Sequence, residues 1–296
     1  MDTAAALVGV KPPPFEVLAP DRQAVPLVVA SPHSGAHYPP EFVAASRLDP
    51  MALRRSEDSF IDEIFGAAPT IGAPLLRATF PRAYIDPNRE PYELDPAMFE
   101  DTLPGYANTR SPRVAAGLGT IARVVATGRD IYRDKLRLAE ALERIQALYQ
   151  PYHGALRRLI ADTRAAFGCC LLVDGHSMPS VGGPMDTDAG RARVDVILGD
   201  VHGASCAPIV TDTAERTLRQ LGYAVTRNNP YSGGFTTQNY GRPRRGVHAL
   251  QIEINRSLYM DEETITRKDA IVDLTRDMAK VMAALGAIDR RLLLAA

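Results

Sequence analysis

Tryptophan is absent from this 296-residue chain, and cysteine occurs only three times. Two of the thiols, Cys169 and Cys170, are adjacent in a strand-like run, so they do not form a disulfide framework. They read as buried thiols of a reducing compartment. Cys206 follows a loop and is a weak candidate nucleophile. Long apolar runs are missing as well: none approaches the ~18 residues of a membrane span. The N-terminus lacks the basic-then-apolar layout of a signal peptide, and a cytoplasmic location away from the membrane is expected. Charge of one sign is scarce, with a formal net charge of -1, so no broad basic field invites nucleic acid. What remains is a chain 46% hydrophobic and 23% charged, enough for a sizeable core of ordinary globular type. Nothing in it selects an oligomeric state.

Residues 1–24 are rich in Ala and Pro, and Pro12-Pro13-Pro14 opposes regular structure; an arm is expected there, ahead of one domain over 25–296. Within that domain, apolar strand-like runs alternate with helical patterns. Strands are expected at Pro26–Ala30, Leu75–Phe80, Ala83–Asp86, Val194–Leu198, Tyr223–Thr226 and Val247–Ile254. Helices are expected at Ser56–Phe65, Thr211–Leu221, Glu262–Leu285 and Asp130–Tyr149, which Pro151 should break or restart with a second helix running on to Phe167. Residues 87–112 read as an irregular excursion. Such alternation predicts an α/β fold around a mostly parallel or mixed sheet.

The chain is organised around Leu171-Leu172-Val173-Asp174-Gly175-His176-Ser177, a buried strand whose end carries polar groups. A second run, Val25 to Ala30, leads into Ser31-Pro-His-Ser-Gly35. Two strands thus each present a histidine at the rim of the sheet, where α/β folds bind ligands. A single buried histidine is more often a hydrogen-bonded core group than a ligand. His33 and His176 at matching strand ends point instead to a metal, and a carboxylate would complete a three-ligand site. Asp58 is the expected ligand, with Glu57 the near alternative and Asp62 a candidate to orient it. Zinc is the expected ion, another divalent metal the alternative. A shared ion requires the two rings to lie within about 8 Å.

Glu253 lies between Ile252 and Ile254 and shares one strand face with Gln251 and Asn255. A carboxylate in such surroundings needs a partner or a task. Burial would raise its pKa toward that of a general base acting on water. Asn88, Arg89 and Arg82 offer planar donors for a substrate carboxylate. Asn229 and Tyr231, in a Gly-rich loop, and Arg256 and Arg242 are further candidates. Gly199-Asp-Val-His-Gly203 is an incomplete phosphoesterase signature. Ser34 and Ser177 adjoin histidines without the strained elbow a serine hydrolase needs.

Five motifs, Ser31-Pro-His-Ser-Gly35, Ile85-Asp-Pro-Asn-Arg89, Val173-Asp-Gly-His-Ser-Met-Pro-Ser180, Asn229-Pro-Tyr-Ser-Gly-Gly234 and Leu250 to Met260, resemble the N-formylglutamate amidohydrolase family. The resemblance spans about residues 25–262. It implies kinship with zinc carboxypeptidases and aspartoacylases, a three-layer αβα fold around a mixed sheet, and hydrolysis of an N-formyl or N-acyl amino acid. It also implies His33, His176 and Asp58 or Glu57 as ligands, Glu253 as base, and Asn88-Arg89 on a carboxylate of a small acidic substrate. The wider group often has an acidic ligand three residues after the first histidine, where this chain has Ala36. Ser56-Glu-Asp-Ser-Phe60 replaces the Asp-Thr-Asp-Trp-His form of histidine-degrading members. Rival expectations are a deacylase of larger amides and a metal-free binder of an amino acid derivative.

Overall fold

A computed structural model of the chain describes residues 12–184 and 186–294. Seven strands form one sheet: β1 (Phe15–Leu18), β2 (Leu27–Ser31), β3 (Leu75–Ala78), β4 (Cys170–Met178), β5 (Val196–Gly199), β6 (Val225–Arg227) and β7 (Val247–Asn255). Their order is β1-β3-β2-β4-β7-β5-β6. β2, β3, β4 and β7 run parallel, while β1 and β5 pair antiparallel with β3 and β7. The sheet is therefore mixed, and helices cover both faces. Leu27, Val29, Leu171, Val173, Leu250 and Ile252 meet Ile271–Gly286 and Pro208–Gln220 on one side. Val28, Ala30, Leu172 and Ala249 meet the helix ending at Phe167 on the other.

β4 and β7 lie at the centre, nine residues each and buried throughout. Their period-two alternation assigns Cys170, Leu172, Asp174 and His176 to one face, beside Val247, Ala249, Gln251 and Glu253. That face is apolar in its first half and polar in its second, in register on both strands. The reverse face has no polar side chain between Leu171 and Val173 or Leu250 and Ile254. Position 175 falls on it by the same alternation and is a glycine, since a Cβ there would come within 2.7 Å of the Phe65 ring.

Several elements differ from the sequence expectation. Phe15–Leu18, inside the expected arm, pairs with β3 as an edge strand; the first eleven residues lie outside the described ones. The helix expected from Ser56 begins only at Ile61, after Phe60 in the left-handed region (φ 68°). Asp58 N–H donates to His33 O (3.1 Å), so residues 57–60 turn around the site rather than wind. Ala83–Asp86 is a turn on Pro81 carbonyl bonds. Pro151 does not break its helix: a π turn, Ile145–Tyr149, precedes it, and helix continues to Phe167. The wider turn accommodates a residue without an N–H. The helix expected from Glu262 starts only at Ile271, after a small hairpin of Met260–Asp261 and Thr266–Arg267, and a short helix, Arg290–Leu294, follows it.

Candidate active site

His176 and Glu253 are direct neighbours across the β4–β7 pair. His33 arrives two residues past the end of β2, in a turn held close to Phe80, where a Cβ at Gly35 would be 2.2 Å from the carbonyl. The His33 and His176 rings are 4.8 Å apart between centroids. Three atoms converge: His33 Nδ1 and His176 Nδ1 are separated by 3.1 Å, and Asp58 Oδ2 lies 3.2 and 3.1 Å from them. A proton can bridge only one pair of these acceptors. A divalent cation with bonds of about 2.1 Å in a tetrahedral arrangement separates its ligands by roughly 3.4 Å. The spacing and the N,N,O donor set fit a metal ion, with the three residues buried.

Each ligand candidate is held from behind. His33 Nε2 lies 2.7 Å from Asp86 Oδ1, which fixes that N–H and leaves Nδ1 as a lone pair. Asp174 Oδ1 lies 3.1 Å from His176 Nε2, off the line of a hydrogen bond and otherwise without a partner. The Asn88 amide is 3.2 Å from the same nitrogen and asks for the opposite protonation. The full charge of Asp174 outweighs that partial dipole. Asp58 Oδ1 accepts from Arg256 (3.0 Å). Arg82 donates to Asp86 (2.8 Å).

Burial would raise the Asp58 carboxyl, but the adjacent His176 and His33 rings and the charge of Arg82 hold it well below the usual range. Asp86 is likewise raised by burial and pulled down further by Arg82 and Arg89. Burial would lower His176; the adjacent Asp174 charge and the bond to Asp58 raise it well above the usual imidazole range. A cation must displace that proton, so affinity should rise with pH. Glu253 is pushed up to about 7, chiefly by burial, with His176 opposing and Asp58 reinforcing. Gln251 donates to its Oε1 (2.8 Å).

The predicted residues separate into groups. Glu57 turns away, gripped by Arg54 and Ser59, so Asp58 is the carboxylate at the two histidines. Asp62 pairs with Arg77 and orients neither ligand, a correction to the helical-face expectation. Arg82 and Arg256 line the cavity but direct their donors to Asp86 and Asp58. Arg89 donates to the carbonyls of Leu118 (2.8 Å) and Asn88 (2.7 Å), and burial lowers it to about 10. Asn88 accepts from Thr236 N–H (2.7 Å), pinning the loop that contains Tyr231. Tyr231 lines the cavity; Asn229 is exposed and does not. Arg242 bonds Gln238 and Gly241 carbonyls, away from the cavity. Asp200 is absorbed in a loop network with Asn228 and Thr211.

Sequence reasoning missed the supports. Tyr149 donates to the Arg89 carbonyl (2.7 Å) and His153, one turn on, bonds the Pro87 carbonyl (2.8 Å). Together they fix the turn that bears Asn88 and Arg89. Asp174 was findable, two residues before His176 on one face. Asp86 had no such signal, because its partner is 53 positions away.

The profile of the N-formylglutamate amidohydrolase family matches residues 25–260. The chain belongs to that family. It is similar to the N-formylglutamate deformylase of Pseudomonas aeruginosa, 31% identical over 84% of this chain and 87% of that one. It is 28% identical to the deformylase of Pseudomonas putida, over 90% and 93% of the two chains. The structure of an N-formylglutamate amidohydrolase from Ralstonia eutropha JMP134 superposes with a TM-score of 0.86 at 38% identity, covering 94% of this chain and 99% of that one. Among the described residues no helix is long and apolar enough to cross a membrane.

Proposed function

We propose that this chain hydrolyses the formyl amide of N-formylglutamate, giving glutamate and formate, and that it does so with a divalent metal, zinc by preference. The carrying observation is the triangle of His33, Asp58 and His176 with buried Glu253 on the adjoining strand. The names of its relatives support the same substrate. Three protein ligands of nitrogen and oxygen suit zinc with a position left for water. A bound ion would polarise the formyl carbonyl and ease loss of a proton from water, to a pKa near ~7.

The remaining steps belong to the chain's own groups. Glu253, with a pKa of about 7, takes the proton from the attacking water and returns it to the leaving amine. Asn88 and Arg89, held by Tyr149 and His153, seat a substrate carboxylate, with Tyr231 beside them. Arg82 and Arg256 keep Asp58 and Asp86 ionised and aimed. The cavity, about 210 Å³, favours a small acyl group over a peptide. The buried free thiols accord with a cytoplasmic enzyme.

The test is formate release from N-formylglutamate by protein loaded with zinc after chelation. Zinc-loaded protein that leaves the formyl amide intact would sink this reading.

A further inference from the structure

We propose that Arg113 reads the carboxylate remote from the scissile amide and so makes the enzyme selective for acidic N-formyl amino acids. This rests on the deformylase reading of the site.

Four arginines line the cavity: Arg82, Arg89, Arg113 and Arg256. Arg82 and Arg256 have donors engaged on Asp86 and on Asp58 with Ser177, and Arg89 spends Nε and Nη1 on the carbonyls of Leu118 and Asn88, with Nη2 3.6 Å from Asp86 and in no hydrogen bond to it. Among the described residues, Arg113 makes no side-chain hydrogen bond or ion pair. Asp186, an acidic group of the same lining, is occupied by Arg193 (2.7 Å) and the Gly183 N–H (2.9 Å).

The turn that carries Arg113 is fixed against Arg89. Ser111 caps it by accepting from Val114 N–H (3.1 Å). The Arg113 carbonyl accepts from Leu118 N–H (2.8 Å), and the Leu118 carbonyl accepts from Arg89 Nε (2.8 Å). Two guanidinium groups are thereby held at one wall, the buried Arg89 deep and the exposed Arg113 at the mouth. The positive charge of Arg113 is felt at Arg89, adding to the lowering that burial causes. Like charges brought to one cavity wall repel, and an anion between them relieves the repulsion. A substrate with two carboxylates satisfies both: one near the amide at Asn88-Arg89, the other at the free guanidinium.

The experiment compares kcat/KM for N-formyl-L-glutamate and N-formyl-L-glutamine, near-isosteres that differ in one charge. Replacing Arg113→Ala should cut the preference for glutamate by about 10- to 100-fold, the range for a lost charged hydrogen bond. Arg113→Lys should recover part of it, because the charge returns without the planar fork. An unchanged ratio, or equal losses on both substrates, overturns the assignment. Calorimetric binding of glutarate against its monoamide reads Arg113 without turnover. A preference for glutarate that disappears in R113A supports the assignment even if neither formyl amide is hydrolysed, a result that would sink the deformylase reading alone. No such preference in the wild type overturns it.

Discussion

The two faces of the β4–β7 pair share the same strands, the same register and the same burial, yet one performs packing and the other chemistry. On the packing face, Leu171, Val173, Leu250, Ile252 and Ile254 meet helices with no polar group to satisfy. On the other, Leu172 and Ala249 give way within two residues to Asp174, His176, Gln251 and Glu253. Each of these would be expensive to bury alone. They are tolerated because they face one another and the His33, Asp58 and Asp86 groups from flanking turns. The difference teaches that a half-strand of polar alternation at a sheet's C-terminal end can be supported by a face behind it that is apolar from Leu171 to Val173 and from Leu250 to Ile254, with the polar His248 and Ser177 only towards its ends.

The strongest way to break this comparison is to remove a ligand. His176→Ala should abolish bound zinc and reduce turnover to background, as measured by elemental analysis and formate release together. Full metal content in that variant would mean that the triangle is not the binding site. Glu253→Gln sharpens it further, since it keeps shape and hydrogen bonding while removing the base. The expected loss in kcat is about 10²- to 10⁴-fold, with zinc retained. For the same reason the acid limb of kcat/KM that follows Glu253 ionisation should be lost in this variant; in the wild type it should lie below the ion-free value of about 7, because a bound cation favours the carboxylate.

The opposite face should respond in stability alone. Leu250→Ala removes a fully buried side chain and should cost about 2–5 kcal/mol, read from the denaturant midpoint. Its kcat per folded, zinc-loaded molecule should stay close to wild type. A large fall in kcat would show that the two faces are not energetically separable.

Much of this division was legible in the sequence. Gln251, Glu253 and Asn255 stand out because alternate positions are polar inside an otherwise apolar run, and His176 ends another such run. Local pattern carries that information, since neighbouring residues of a strand determine its faces. The choice between Glu57 and Asp58 was not legible. It depends on Phe60 adopting the left-handed region and on Asp58 N–H reaching the His33 carbonyl, both tertiary events. The partner of His33, Asp86, and the engagement of Arg82 and Arg256 with carboxylates were hidden for the same reason. The unbroken helix through Pro151 was missed because the π turn before it follows from packing rather than from propensity.

The supports behind the polar face give a smaller effect, separable by pH. His153 is buried and held neutral, with burial lowering it from 6.5 to about 4. Unfolded chains take up a proton below about 6.5 that the folded protein refuses until about 4. Stability should therefore fall as pH drops through that window and flatten beneath it, by about 3 kcal/mol from this group. Comparing wild type with His153→Gln isolates this imidazole's contribution from that of the carboxylates. A difference in denaturant midpoint that does not narrow between pH 6.5 and 4 would show His153 to be already charged in the fold.

Tyr149→Phe should give the smallest change. It deletes one hydrogen bond, to the Arg89 carbonyl at 2.7 Å, while the ring still packs against His153. A neutral bond of this kind contributes about 1 kcal/mol, so KM for N-formylglutamate should rise roughly 5-fold. The kcat value should hold, because the turn bears on substrate seating and not on Glu253 or the ligands. A loss confined to kcat would instead connect the π turn to the reacting centre, and the separation between binding wall and polar strand face would have to be redrawn.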